Sequence, residues 1–231
     1  MLAPHLEPTT EPARLLAIQK YNLVAAFQEP LFQELTSLTA AIFGLPVAFL
    51  SLVDHTQVDF PATHGVPDLH TLPREAALCS LAVQHHHTVV LNHISQGSES
   101  PQWHTAQRFR MEFYVGAPVL VEQDHAVGAL CLSDHQARTF TGQEEALIEE
   151  IAALVSHAVS ARWQSLAAEN GGSHWQAVQH QAIAEIHMLL GVVRHLSAGR
   201  NPLAPTPDAL LHVVRRRLTT LKQVFHSIET S

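Results

Sequence analysis

The sequence contains few residues of several kinds, and each shortage excludes a class of protein. Its only cysteines, Cys79 and Cys131, lie in apolar runs without C-x-x-C spacing, so we expect reduced, buried thiols rather than a disulfide scaffold or a zinc site. Charged residues make up 15% and apolar residues 46%, which excludes a disordered acidic protein. There is no apolar run of the roughly 18 residues that a membrane-spanning helix needs, and the start lacks an export signal. The composition predicts a folded, soluble, cytoplasmic protein.

The charge of the chain is negative and unevenly distributed. The net charge is −8 with histidines neutral. Since duplex affinity comes largely from lysines and arginines that neutralise phosphates, we expect no nucleic-acid partner. Residues 1–172 hold 18 acidic and 7 basic side chains, whereas residues 173–231 hold 3 and 6. This asymmetry predicts that the chain has two parts.

The apolar pattern predicts an alternation of helices and strands in the first part. Helices are expected over 12–26, 30–43, 74–86 and 141–167, and strands over 47–54, 57–62, 88–92, 109–121 and 126–134. The last two strands are expected to form a hairpin, and 65–73 is expected to be a loop. Thr141, with Glu144 three residues on, is the expected N-cap of the last helix. The strand at 47–54 is apolar on both faces, which places it in the middle of a sheet. The stretch 93–107 lacks apolar periodicity, so we expect a long loop there that covers a pocket.

The second part has the pattern of a helical hairpin. A linker is expected over 169–173 and two helices within 174–231, joined by the proline-rich segment 199–207. Apolar residues recur at helical spacing in two seams: Trp175, Ala182, Ile186, Leu189, Val193 and Leu196, then Leu211, Val214, Leu218, Leu221, Phe225 and Ile228. Since two helices cannot bury both seams alone, we predict a homodimer in which two hairpins form a four-helix bundle. The alternative is that the hairpin packs onto the first part.

Several short strings of the first part occur in the order that one protein family shows. They are Pro30-Leu31-Phe32, Ala40-Ala41-Ile42-Phe43-Gly44, Ser51-Leu52-Val53-Asp54, Thr71, Pro73-Arg74, Cys79, Phe113-Tyr114-Val115-Gly116-Ala117-Pro118-Val119, Gly128-Ala129-Leu130-Cys131-Leu132-Ser133-Asp134, Arg138 and Phe140. Over about residues 12–160 the series resembles the GAF domain family. The resemblance implies an α+β GAF fold over 1–168, with a central antiparallel sheet flanked by helices, plus the C-terminal α-helical hairpin.

The resemblance also implies a function in signal transduction. GAF domains are sensory or regulatory modules that bind small molecules, or ligand-free dimerisation units, so we expect a sensor rather than an enzyme and leave the cofactor open. The implied ligand-binding residues are Cys79, Trp103, Phe113, Tyr114, Cys131 and Asp134. The alternative is a ligand-free scaffold whose pocket is filled by Phe113, Tyr114, Trp103 and Leu130. Glu112 stands where the resembling subfamily usually has an arginine, which argues against an anionic ligand.

Two patterns of histidine suggest further hypotheses. The triplet His85-His86-His87 is expected to be a solvated helix end rather than a metal site. The hairpin weakly resembles the dimerisation and phosphotransfer region of sensor histidine kinases. His180 and His187 lie seven residues apart on one exposed stripe, so they are candidate phosphoacceptors. The chain contains no glycine-rich nucleotide loop, so we do not expect a complete kinase but a phosphotransfer protein acting with a signalling partner as the alternative function.

Overall fold

The computed structural model describes residues 10–97, 100–122, 125–168, 171–199, 201 and 203–226. The helices in these residues are α1 (Thr10–Lys20), α2 (Leu23–Ala26), α3 (Pro30–Phe43), α4 (Cys79–His85), α5 (Pro101–Arg108), α6 (Gly142–Ala167), α7 (Gly171–Leu196) and α8 (Asp208–His226). The strands are β1 (Val47–Val53), β2 (Gln57–His64), β3 (Thr71–Pro73), β4 (Val89–Leu91), β5 (Phe113–Val121) and β6 (His125–Asp134). The predicted α+β class is confirmed.

The six strands form one antiparallel sheet in the order β3-β2-β1-β6-β5-β4. All seven residues of β1 are buried, because helices and loops cover both faces of the sheet at this position. The predicted hairpin of β5 and β6 is present, with Phe113 opposite Asp134. A Cβ atom on Gly128 would lie 1.9 Å from the carbonyl oxygen of Ser51. The close approach of two strands therefore requires glycine here.

Some predicted boundaries were wrong for local reasons. The helix expected over 12–26 is divided into α1 and α2, because Asn22 adopts a left-handed backbone conformation with φ 48°. The strand expected from residue 109 begins at Phe113, since Arg110 also has a positive φ of 54°.

The expected loop at 93–107 contains helix α5. The Ser100 side chain accepts a hydrogen bond from the backbone N–H of Trp103, and Pro101 occupies the first helical turn. A serine N-cap followed by proline is a helix start signal. Only Ala106 of this helix is fully buried, so the helix has no apolar stripe that a search for periodicity could detect.

The hairpin of α7 and α8 packs against α3 and α6 of the same chain. The four helices form a bundle within one molecule, on one face of the sheet. Buried seam residues include Trp175, Ala182, Ile186, Leu189 and Val193 on α7, and Leu211, Val214, Leu218, Leu221 and Phe225 on α8. The seam argument for a homodimer was therefore wrong, because α3 and α6 supply the two further helices that we assigned to a second copy. Leu196 is exposed, and Ile228 lies outside the described residues.

The predicted linker at 169–173 is shorter in the structure, because α7 already begins at Gly171. Residues 169 and 170 lie outside the described part of the chain. The Ser165 hydroxyl donates to the carbonyl oxygen of Gly171 at 3.0 Å, which connects the end of α6 directly to the start of α7.

A carboxylate before α3 joins the hairpin to the first part of the chain. Glu29 accepts hydrogen bonds from Arg162 Nε at 2.6 Å, Trp175 Nε1 at 2.7 Å and Gln179 Nε2 at 2.8 Å. Gln179 interrupts the apolar seam of α7 in the sequence, and this contact explains the interruption. Glu29 therefore links α6 and α7 through charge-assisted hydrogen bonds.

A second carboxylate joins the loop of the hairpin to α6. The Glu144 side chain is fully buried and accepts hydrogen bonds from Arg138 Nη2 at 2.5 Å and from the N–H and hydroxyl of Thr206 at 2.9 and 2.7 Å. Glu144 also closes a capping box with Thr141 at the start of α6, as the sequence predicted. One buried side chain thus holds a helix start, an arginine and the hairpin loop together.

Candidate functional site

A cavity of about 340 Å³ lies on the face of the sheet that the four-helix bundle leaves free. The sheet contributes Val47, Phe49 and Phe60 to its wall, and the opposite wall includes Leu69, Leu78 and Met111. The segment between β2 and β3, the start of α4, and α5 surround the opening. A mostly apolar cavity of this size with a few polar groups has the form of a small-molecule site.

The polar groups of the cavity are mostly neutral. Gln102 and Thr105 reach it from α5, and Tyr114 and Ser133 reach it from the sheet. Two exposed ionisable side chains, Asp68 and His135, stand at its rim, and none of the described residues that line it is a lysine or an arginine. The cavity can therefore offer hydroxyl, amide and phenol groups to a ligand.

The wall of the cavity at the sheet carries a cluster of two thiols and a phenol. Cys79, the first residue of α4, lines the cavity, and the Tyr114 hydroxyl lies 3.2 Å from Cys131 Sγ. Burial raises the pKa of Tyr114 and of Cys131 well above their usual values. Burial also opposes ionisation of Cys79, but hydrogen bonds from Cys131, Ser51 and backbone N–H groups outweigh it and lower the pKa of Cys79. Cys79 is thus the more acidic of the two thiols.

The structure brings three of the six predicted ligand-binding residues together and separates the others. Cys79 and Tyr114 line the cavity and Cys131 lies beneath Tyr114. Phe113 points to the opposite face of the sheet, where its ring lies 5.6 Å from that of Phe140. Successive residues of a strand point to opposite faces, so Phe113 and Tyr114 could not share one pocket.

Trp103 and Asp134 also lie away from the cavity lining. The Trp103 indole packs against Gly97, where a Cβ atom would lie 1.4 Å from Nε1. Asp134 Oδ1 accepts a hydrogen bond from the backbone N–H of Gln136 at 3.1 Å, which fixes the turn after β6. Leu130 also faces the helical side. Of the four side chains proposed to fill the pocket of a scaffold, only Tyr114 lines it, so the self-filled pocket was a wrong expectation.

Sequence reasoning missed the residues of the cavity that lie between β2 and α4 and on α5. Val66, Leu69 and Leu72 belong to a segment expected to be a loop, and Gln102 and Thr105 belong to the undetected helix α5. The apolar residues between Gly65 and Pro73 were the available signal, since a solvated loop does not need them.

The histidine candidates lie on the outer surface of the bundle. His180 and His187 are exposed on α7, and His187 Nε2 lies 3.1 Å from Glu34 Oε2 on α3. His85 and His87 stack at 5.4 Å at the end of α4. In the described part of the chain there is no group of three or more potential metal ligands, and no helix there is long and apolar enough to cross a membrane.

Comparisons with known proteins identify relatives of this fold. The model of the GAF domain family matches residues 28–159. A cyclic di-GMP phosphodiesterase of Pseudomonas aeruginosa is 24% identical over 153 residues, which are 64% of this chain and 25% of that protein. The chain thus spans about a quarter of the length of this curated relative.

Two solved structures show the same fold at low sequence identity. The GAF domain region of a Geobacter sulfurreducens protein has a TM-score of 0.50 and 17% identity, and the match covers 62% of this chain and 97% of that one. Residues 122 to 287 of a methyl-accepting chemotaxis protein give a TM-score of 0.50 and 15% identity, with 65% and 100% covered.

Proposed function

The chain belongs to the GAF domain family, and we propose that it is a sensory module that binds a small molecule in the cavity above β1 and β6. The observation that carries the proposal is that the two faces of the sheet bear different structures. One face bears the apolar cavity of about 340 Å³ and the other bears the helical bundle. A ligand that alters the sheet can therefore act on the hairpin without contacting it.

The contacts of β5 suggest the route of such an effect. Tyr114 faces the cavity, and its neighbour Phe113 faces the bundle, where the Arg138 guanidinium lies 5.8 Å from its ring. Arg138 binds Glu144, and Glu144 binds Thr206 in the hairpin loop. A shift of β5 on ligand binding would reach the hairpin through these packed and hydrogen-bonded side chains.

We assign the chain a regulatory rather than a catalytic role, in a cytoplasmic signalling pathway with a partner protein. One relative is an enzyme, and the chain matches only a quarter of its length. A homodimer stays part of the proposal, but its contact must involve a surface other than the seams of α7 and α8, which are already buried. Sedimentation at micromolar concentration tests this point, and a monomer would remove the homodimer from the proposal.

Native mass spectrometry of the chain purified from its own host tests ligand binding. We expect a co-purified small molecule, and its loss in Ala106→Leu, which fills the cavity from α5. Ala184→Leu is the matched control, because Ala184 is exposed on α7. Removal of the ligand should also change hydrogen exchange of α7 and α8. An empty chain whose exchange is the same in both variants and the wild type would refute the sensory role.

Phosphotransfer through α7 is the second candidate function. The observation that favours it is the contact between the exposed His187 imidazole and the Glu34 carboxylate, because a carboxylate polarises an imidazole for nucleophilic attack. Incubation with a cognate kinase and labelled ATP should give an acid-labile label. Its loss in His187→Gln but not in His180→Gln would identify the acceptor, and the absence of label would exclude this function.

A further inference from the structure

We propose that the ligand of the cavity is an uncharged, predominantly apolar organic molecule that carries one or two neutral hydrogen-bonding groups, and that it is not a phosphate ester such as a cyclic nucleotide. This inference rests on the proposed function, since it names the class of ligand for the same cavity. It follows from the charges of the residues that line the cavity, from the ion pairs of the neighbouring arginines and from the positions of the neutral polar groups.

The described lining of the cavity contains no permanently cationic side chain. It includes no lysine and no arginine, and the ionisable side chains at its rim are Asp68 and His135. Phosphate recognition relies on charge-assisted hydrogen bonds from arginine or lysine, or on several convergent backbone N–H groups. A phosphate in this cavity would lose its hydration without a lysine or arginine to compensate and would approach the Asp68 carboxylate.

Two of the arginines around this part of the fold are already ion-paired, and two others, Arg108 and Arg110, flank the lining residue Phe109 but are exposed and do not line the cavity. Arg74 lies between two lining segments, but it binds Glu11 at 2.5 Å and the carbonyl oxygens of Asp54 and His55 at 3.3 and 3.4 Å. Arg138 lies on the other face of the sheet, where it is paired with Glu144. Recruiting either cation for a ligand would break a buried or half-buried ion pair, which opposes binding.

The polar groups that remain favour neutral partners. Gln102 and Thr105 lie three residues apart on α5, so they reach the cavity from the same side of the helix. Tyr114 stays a neutral phenol, since burial raises its pKa. Amide, hydroxyl and phenol groups can pair with a carbonyl, hydroxyl or amide of a ligand whose remaining surface contacts apolar walls.

The neutral fluorophore N-phenyl-1-naphthylamine is a suitable probe, because its fluorescence rises in apolar surroundings. Near neutral pH we expect wild-type protein to bind it and 1-decanol to displace it. Decanoate, with the same chain length, should need a concentration about tenfold higher or more, because its carboxylate must be buried unpaired or remain outside. Cyclic GMP should not displace the probe at concentrations up to about 1 mM.

Variants locate the binding and test the charge argument. Ala106→Leu should weaken probe binding, and Ala76→Leu, at a half-buried lining position, should do the same if the first variant does not fold. Ala184→Leu should bind like the wild type. Gln102→Arg adds a cation at the cavity, so it should improve the binding of decanoate relative to that of decanol about tenfold. A gain of binding of this kind does not arise from loss of folding.

The outcomes separate this inference from the proposed function. Displacement by cyclic GMP at micromolar concentration, equal affinity for decanoate and decanol, or a co-purified phosphate ester would overturn the ligand class and leave the sensory role intact. Absence of probe binding together with an empty host-purified chain would overturn both.

Discussion

The buried carboxylate of Glu144 allows a sharp test of how the hairpin is held. The substitution Glu144→Gln keeps the shape of the side chain and removes its charge. In the wild type this carboxylate accepts from Arg138, from the N–H and hydroxyl of Thr206 and from the N–H of Thr141 at 3.0 Å, and both Arg138 and Glu144 side chains are fully buried. The substitution leaves the Arg138 guanidinium in the interior without its counter-charge.

The expected loss of unfolding free energy is large. Removal of one partner of a buried ion pair costs about 3–5 kcal/mol, because the other charge stays buried and unpaired. The control is Glu145→Gln, one residue further along the same helical turn, where only a helix-dipole contribution of about 0.3–1 kcal/mol is lost. The double variant Arg138→Leu and Glu144→Leu should be more stable than Glu144→Leu alone, since it leaves no unpaired charge.

The assay is urea unfolding followed by circular dichroism at several pH values. Burial would raise the pKa of Glu144, but hydrogen bonds from Thr141 and Thr206 and the charge of Arg138 outweigh it and lower this pKa below 4.5. The difference in unfolding free energy between the wild type and Glu144→Gln should therefore be largest above about pH 4.5 and decrease as the pH falls below that value. A difference of less than about 1 kcal/mol at neutral pH, equal to that of Glu145→Gln, would refute the reasoning.

Three further predictions concern other contacts. Glu29→Gln should lower the unfolding free energy by about 2–3 kcal/mol and shift the fluorescence of Trp175, because it removes the counter-charge of Arg162 and leaves one oxygen, instead of two, to accept from Arg162, Trp175 and Gln179. Unchanged emission would contradict the contact. Hydrogen bonds from Arg14 outweigh the effect of burial and, together with those from Arg74, lower the pKa of Glu11 to about 2. The unfolding free energy of the wild type should therefore exceed that of Glu11→Gln by about 1–2 kcal/mol above pH 4.5, and this difference should disappear as the pH falls towards 2. A pH-independent difference in acid unfolding curves would argue against it. Iodoacetamide should alkylate Cys79 about tenfold faster than Cys131, because Cys79 lines the cavity and has the lower pKa. Peptide mass spectrometry measures both rates, and faster labelling of Cys131 would contradict the prediction.

The regular elements of this fold were predictable because their signals are local. The two-sided apolar run of β1 identified the central strand, and Thr141 followed by Glu144 identified the start of α6. The seams of α7 and α8 correctly showed which faces are buried. An apolar seam does not encode what covers it, so the sequence could not decide between α3 and α6 of the same chain and a second copy.

The cavity was less predictable, because non-local packing determines it. Cys79 and Tyr114, both implied ligand-binding residues, line the cavity, whereas Phe113 was assigned to the same site although strand alternation turns it to the bundle. Helix α5 has only one buried residue, and its position over the sheet depends on contacts with distant segments. Residues such as Gln102 therefore could not be identified as cavity residues from the sequence.

The hairpin that covers α3 and α6 also has a consequence for how the chain is made. These helices leave the ribosome before α7 and α8, so the nascent lobe exposes the apolar surface of α3 and α6 to solvent until those two helices have been made. A shortened gene that stops at codon 168 would make this exposure permanent, and its product should form inclusion bodies instead of a working lobe.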